Sequence, residues 1–437
     1  MRKLFQPKII ILLCTVVCLF ITTNIHWGKD KWQNIIEADA RGYYAYLPAV
    51  FIYQDLNFTF YDSVETAKYN SHFNYDYRVK IDNSYNVNKY YCGTAIAQSP
   101  FFLTAHILTL FSDYEADGYS RIYMLFITLA GIFYMLAGLI FTDKLLRLYH
   151  ISNGIRSFTL LAILFGTNLF FYTVCEMGMS HIYSFALIAA FCFYMKKLFI
   201  TSDRRYMILS MIILGFIFLV RPANLLVLMA VPFLAGDMYY IFKGTNILKK
   251  NFGLFATGFL ALAGIISIQL LIYKISSGHL WVDSYPSEEF NFKDPHFFLM
   301  LFSYKKGLFL YTPLYLLSLF GLYYFYQRRR FEFFSFLVFF VILTYILSSW
   351  WNWWYGGSFS SRVFVDYLSL FSILLALQFQ NASKKIFRRL LVPSVIAMIA
   401  LCQFQTYQYR YYLIHWEDMT KEKYWDVFLS MKKEGKR

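Results

Sequence analysis

The sequence is short of acid. Its 437 residues carry 26 Asp and Glu against 41 Lys and Arg, and charged residues make up only 15% of the chain. Cysteine is sparse: Cys14, Cys18, Cys92, Cys175, Cys192 and Cys402, four of them inside apolar runs and none in a Cys-x-x-Cys pair. Neither a zinc site nor a disulfide framework is indicated. P-loop, GxGxxG, HExxH, GxSxG and DxD motifs are all missing. ATP-driven transport, Rossmann cofactors and nucleotide-sugar chemistry on a soluble domain lose support accordingly.

What the chain has in excess is apolar surface. Hydrophobic residues make up 58% and aromatics 22%, and the mean hydropathy is +0.44. Soluble domains are roughly 45–50% apolar. The surplus falls in long runs divided by short polar stretches, the pattern of an all-α polytopic membrane protein. Eleven transmembrane helices are expected, at 9–25, 119–142, 155–175, 180–199, 206–221, 223–242, 253–273, 307–326, 331–350, 363–380 and 389–405, in a single membrane domain over 1–437. Residues 1–25 resemble a signal peptide, with Arg2, Lys3 and Lys8 before an apolar run, but no small-x-small cleavage site follows. The segment is therefore read as an uncleaved first span.

Residues 94–111 are apolar enough for a further span. The acidic stretch with Asp113, Glu115 and Asp117 follows them, and Lys144 and Arg147 close the next run. If 94–111 crossed, the acids would be cytoplasmic and the bases outside. An interfacial or re-entrant helix puts both where the positive-inside rule wants them.

The charge census supports this topology. The expected cytoplasmic pieces (the amino terminus, 143–156, 196–205, 237–250, 328–332 and 384–389) hold 20 Lys/Arg and four acids. The rest of the chain holds 21 Lys/Arg and 22 Asp/Glu, so the net +15 is an orientation signal. A nucleic-acid partner is not called for. The amino terminus is expected in the cytoplasm of a bacterial plasma membrane. Outside lie a long loop, 26–118, with interfacial helices, a second segment, 274–306, the short aromatic stretch 351–362 and a tail, 406–437.

Five motifs on that side carry candidate chemistry. In the first, 37–51, Glu37, Asp39 and Arg41 alternate just beyond the first span. A carboxylate there can act as a general base, its pKa set by low dielectric and by Arg41; the plainer reading makes Asp39 a helix N-cap. The second, 175–185, holds Glu176 and His181, the only acidic or basic side chains between Arg156 and Lys196. They suit a divalent metal or an acceptor, or else a solvated charge and a helix cap. Third, Arg221 stands between two apolar runs beside Pro222 and Asn224, either snorkelling or meeting an anion. Fourth, Lys305 and Lys306 run against the positive-inside trend, with Tyr304 and Tyr311 beside them. This suits a phosphate as well as interfacial anchoring. Fifth, Trp350, Trp351, Trp353, Trp354 and Tyr355 precede Gly356-Gly357, Arg362 and Asp366. An aromatic belt explains some of these rings, and sugar stacking suits the rest. The stretch HWEDMTKEKYW in the tail reads as an amphipathic packing helix.

An acid shortly after span one, a long loop with interfacial helices, and an acid in the turn after span three resemble the GT-C superfamily. These polytopic glycosyltransferases use lipid-phosphate sugar donors, and protein O-mannosyltransferases and the lipid A aminoarabinose transferase are members. The resemblance implies a carboxylate base at Asp39, with Glu37 as rival, and a second acid at Glu176. It implies donor-phosphate binding by Arg221, Lys305, Lys306 and Arg362, and sugar or lipid contacts from Tyr304, Tyr311, Trp353, Trp354 and Tyr355. The implied partners are a polyprenyl-phosphate-linked sugar, a glycan, lipid or protein acceptor, and membrane lipid. No cofactor is required beyond an optional divalent metal. The competing class, a transporter or flippase, predicts charges at mid-membrane depth and repeated halves, and neither is visible.

Overall fold

The computed structural model describes residues 5–69, 75–81, 85–250 and 252–431. Arg2 and Lys3 of the amino-terminal basic group, and the end of the tail from 432, lie outside the described residues.

Among the described residues, seven helices are long and apolar enough to cross a membrane, or eight if one sharply bent pair counts as a span. α1 (Pro7–His26) has proline at its first turn, where a missing N–H goes unnoticed. Beyond it lies the long loop with α2 (Asp39–Pro48) and α3 (Gly93–Leu110), the segment expected at the interface. The loop also holds a small antiparallel hairpin, β1 (Arg78–Ile81) with β2 (Tyr85–Asn88), a departure from the all-α expectation.

α4 (Arg121–Leu148) is the second long helix. The expected span 155–175 is instead broken into α5 (Asn153–Phe165) and α6 (Leu169–Val174). The break has a polar cause: Thr167 donates its hydroxyl to Ile163 O and accepts from Leu169 N, competing with the helical ladder. α7 (Ser180–Thr201) and α8 (Arg205–Val220) follow. The expected span 223–242 is a 3₁₀ stretch and α9 (Val231–Ala235), then α10 (Met238–Lys250) at 116° to them. Gly236, at φ +86, supplies the left-handed turn at the bend.

α11 (Phe252–Ser277) is largely exposed along its length, as a helix against lipid would be. Short α12 (Phe297–Phe302) closes the second outer segment, and α13 (Leu308–Tyr311), α14 (Leu314–Leu319) and α15 (Leu322–Arg328) replace a single span at 307–326. Pro313 explains the first break, since it removes an amide donor and keeps Thr312 out of the helical region, at φ −135 and ψ 67. α16 (Arg330–Ser348), a 3₁₀ turn over Arg362–Tyr367 with α17 (Leu368–Asn381), and α18 (Lys384–Ile386) running through a π turn into α19 (Val392–Arg410) complete the bundle. α20 (Lys421–Val427) packs Tyr424 back onto Tyr304 and Tyr311. Residues 415–418 of the expected amphipathic helix are not helical.

The bundle has two chemically different ends. At one, His26 bonds Val174 O, Arg121 bonds Trp27 O, and Tyr355 bonds Leu347 O. At the other, Arg156 pairs with Asp143, Arg329 with Glu332, and Gln380 bonds Ser152 N. Pieces that the charge census grouped together touch one another there: Gln6 bonds Asn153, Lys196 lies over the Tyr149 ring, and Gly236 approaches Lys196 and Glu332. The candidate chemistry gathers at the opposite end.

Candidate functional site

Asp39 opens α2, where the helix dipole favours a carboxylate. The residue before it, Ala38, holds φ 47 and ψ −126, a region that only glycine enters freely. That turn sets the carboxylate between two groups. Arg362 Nη2 donates to Oδ2 at 2.6 Å, and Tyr90 Oη donates to Oδ1 at 2.7 Å. Tyr75 lies 3.3 Å from the same Oδ1 and shares a short hydrogen bond with the Tyr90 hydroxyl. Gly42, one turn along α2, makes room for this: a Cβ there would sit 2.3 Å from the Tyr90 ring.

Burial alone would raise the Asp39 pKa. The Arg362 charge and the hydrogen bonds from Tyr90 and Arg362 outweigh it and hold the carboxyl below its ordinary value. The expectation that Arg41 tunes Asp39 is corrected. Two residues apart on a helix point to different faces, and Arg41 turns into the loop, where its Nε lies 3.5 Å from Glu65. Glu65 also accepts from Tyr77 and Tyr119, so Arg41 belongs to the packing of the long loop. Glu37 is exposed, and its side chain makes no hydrogen bond among the described residues.

Arg221 arrives from α8. Pro222 forces the residue before it to be extended, at φ −156 and ψ 110, which ends the helix and throws the side chain sideways. Its Nη1 lies 3.2 Å from His181 Nε2 and 3.5 Å from Ser180 Oγ. Ser180 donates to the Tyr43 hydroxyl, whose ring lies 4.6 Å from that of Tyr90, which closes a chain back to Asp39. His181 has both ring nitrogens engaged, Nε2 with Arg221 and Nδ1 with Asp366 Oδ1 at 2.8 Å. Among the described residues, no group of three or more His, Cys, Asp or Glu side chains is arranged to hold a metal ion.

Glu176 sits in the turn before α7, half-buried and without a hydrogen bond to its carboxylate among the described residues. Burial pushes its pKa up to about 8, against the pull of Arg362. Lys306 is buried and donates to Ser358 O. Burial pushes its ammonium down to about 7, opposed by Glu176. Lys305 stands apart, its Nζ 3.4 Å from the centroid of Trp354.

The aromatic candidates divide. Tyr355 feels the charges of Arg221 and Arg362 and so borders the site. Trp353 stacks on His296. Tyr311 is buried and donates to Tyr304 O, and Tyr304 accepts from Trp425, so both serve the packing of α20. Tyr75, Tyr90, Tyr43 and Ser180 lie at the site without having stood out in the sequence. Their types are common in this chain, and only long-range packing selects them.

Two features of the cluster point to a ligand. Arg362 is 8% exposed, yet its Nε has no hydrogen-bond partner among the described residues. A buried guanidinium nitrogen without an acceptor is costly. Arg221 Nη2 likewise makes no hydrogen bond among the described residues. Two guanidinium groups with spare donors, Arg362 beside Asp39 and Arg221 beside Asp366, can receive an anion with a proton acceptor at hand.

No protein-family model matches the chain, and no curated protein matches it in sequence. In fold it is similar to the archaeal oligosaccharyltransferase AglB of Archaeoglobus fulgidus, solved with an inhibitory peptide and a dolichol-phosphate. The TM-score is 0.51 at 12% identity, covering 96% of this chain and 57% of that one. The apo form of the Archaeoglobus fulgidus oligosaccharyltransferase gives a TM-score of 0.48 at 11% identity, covering 97% of this chain and 60% of that one. The chain thus spans somewhat more than half the length of these proteins, and what it shares with AglB is the fold.

Proposed function

We propose that the chain is a membrane glycosyltransferase that moves a sugar from a polyprenyl-phosphate donor to a glycan, lipid or protein acceptor on the non-cytoplasmic face of a bacterial plasma membrane. The observation that carries this reading is the meeting of Asp39, Arg362 and Arg221, with spare guanidinium donors, at one end of a GT-C-type bundle. The orientation rests on the basic residues gathered at the opposite end.

Arg221 and Arg362 hold the donor phosphate, with Lys306 and Glu176 behind them. Asp39 takes the proton from the acceptor hydroxyl or amine. The acceptor atom bonds to the anomeric carbon while the carbon–oxygen bond to phosphate breaks on the opposite side. The bonding pair leaves with the polyprenyl phosphate, where the two arginines stabilise it. In the free protein, Arg362 holds Asp39 ionised but weakly basic. Sharing Arg362 with the donor phosphate raises the carboxylate's basicity when the substrate is in place. The sugar–phosphate bond supplies the driving force.

Mass spectrometry of cell-envelope glycans with and without this protein tests the reading. A glycan mass that falls by one sugar when the protein is removed supports it. Identical glycan profiles contradict it.

A further inference from the structure

A helix end fixes a backbone, not a guanidinium, so something else must orient Arg221. His181 and Asp366 are fully buried, and Asn224 nearly so. A guanidinium has only donors, so His181 Nε2 must accept from Arg221 Nη1, and the ring proton resides on Nδ1. That proton is donated to Asp366 Oδ1. The other oxygen, Oδ2, accepts from Asn224 Nδ2 at 2.8 Å and faces Arg221 Nε at 3.8 Å. Asn224 Nδ2 also lies 2.9 Å from Ser184 Oγ, and Asn224 Oδ1 accepts from the Tyr367 hydroxyl at 3.2 Å. Every proton in this network has one direction. Two nitrogens of Arg221 are engaged and Nη2 remains.

We propose that Asp366, His181 and Asn224 are positioning residues that lock the Arg221 guanidinium with Nη2 presented to a phosphate oxygen, so that Arg221 and Arg362 form a two-arginine cradle for a lipid monophosphate headgroup. This rests on the glycosyltransferase reading above. It also replaces the metal or acceptor role that the sequence suggested for His181. The network serves as a template: Asp366 sets the His181 tautomer, and the tautomer sets the arginine.

The direction of the protons makes the idea testable. In Asp366→Asn the new amide donates to Nδ1 and drives the ring proton to Nε2, against an Arg221 N–H. His181→Gln keeps a carbonyl and an amide, so it can still link Asp366 to Arg221, whereas His181→Phe cannot.

The experiment is titration calorimetry of farnesyl phosphate into the purified full-length protein in detergent, with melting temperatures recorded alongside. Arg221→Gln, Asp366→Asn and His181→Phe should each weaken binding roughly tenfold. His181→Gln should recover most of the affinity, and Asp366→Asn should add no further loss in the Arg221→Gln background. Wild-type affinity in both Asp366→Asn and His181→Phe, with Arg221→Gln weakened, overturns the positioning role and leaves the phosphate site standing. Additive losses in the double variant also overturn it, since they reduce Asp366 to support of the fold. No binding by the wild-type protein overturns the phosphate site and the positioning role together. Should Asp366→Asn not fold, the two His181 variants decide: equal affinities overturn the proposal, and a selective loss in His181→Phe supports it.

Discussion

Arg362 donates from Nη2 to Asp39 Oδ2 at 2.6 Å, joining residues 323 positions apart in the chain. The arginine side chain is 10% exposed and the aspartate side chain 19%. Breaking such a pair strands a charge that is largely out of water. Arg362→Gln should therefore lower stability by about 2 kcal/mol, discounted for the partial exposure of Asp39, and abolish transfer. Arg362→Lys should keep much of the stability but not the activity, because an ammonium cannot serve a carboxylate and a phosphate along two edges. Melting curves and transfer assays on the two variants check this; full transfer by Arg362→Lys would contradict it.

Tyr90 supplies one of the hydrogen bonds that hold the Asp39 carboxyl low. Its loss in Tyr90→Phe favours the protonated carboxyl, so the Asp39 pKa rises. A base works above its pKa, so the acidic limb of the transfer rate should move to higher pH while activity persists on the neutral side. A limb that stays in place would separate Tyr90 from the base.

Glu176 makes stability depend on pH with a definite sign. Its folded pKa is about 8 against an ordinary 4.5, so between those values the folded state binds more protons than the unfolded. Stability is then fullest at low pH and falls as pH rises from about 4.5 to about 8. Glu176→Gln should flatten that part of the profile. Melting temperatures across the range provide the check, and an unchanged slope would show that Glu176 is not the titrating group.

Ala38 spends strain to aim Asp39. Its φ of 47 and ψ of −126 cost about 1–3 kcal/mol for a residue with a Cβ. Ala38→Gly relieves this at an entropic cost of about 0.4–1 kcal/mol in the unfolded chain. The variant should melt at the same or a higher temperature and keep its activity, whereas Ala38→Val should destabilise. A large loss of stability in Ala38→Gly would show that no strain resides there.

In the sequence, Glu176 and Arg221 stand out because each is an isolated charge at the end of an apolar run, and isolation is a local property; Asp39 sits between Glu37 and Arg41, and Arg362 beside Asp366, so that family resemblance rather than isolation singles them out. The sequence also announced the two chemically distinct ends, since basic residues recur at alternate gaps between the runs. It hid the breaks within runs. Thr167 interrupts 155–175 through its own hydroxyl, and hydropathy does not register that. Pro313 was visible, but a proline alone does not distinguish a kink from a stop. Gly321 marks another close approach, since a Cβ there would lie 2.3 Å from Leu374 O on α17. The tyrosines on Asp39 were illegible for a different reason. Tyr75 and Tyr90 come from a loop whose path is decided by its own packing around Phe58, Tyr61 and Tyr77. Arg41 and Asp39 are neighbours in sequence but not in the site, because positions two apart on α2 face different ways.

The most direct test of the central claim is single-turnover transfer from a sugar-labelled polyprenyl phosphate by the purified protein, comparing wild type with Asp39→Asn. Labelled glycosylated acceptor and free polyprenyl phosphate should form in equal amounts with the wild type. Asp39→Asn should lose at least about a hundredfold in rate, with donor binding retained. Transfer by Asp39→Asn at the wild-type rate would remove Asp39 as the base. Label carried intact across a vesicle membrane by the wild type, with no covalent product, would replace the transferase by a transporter.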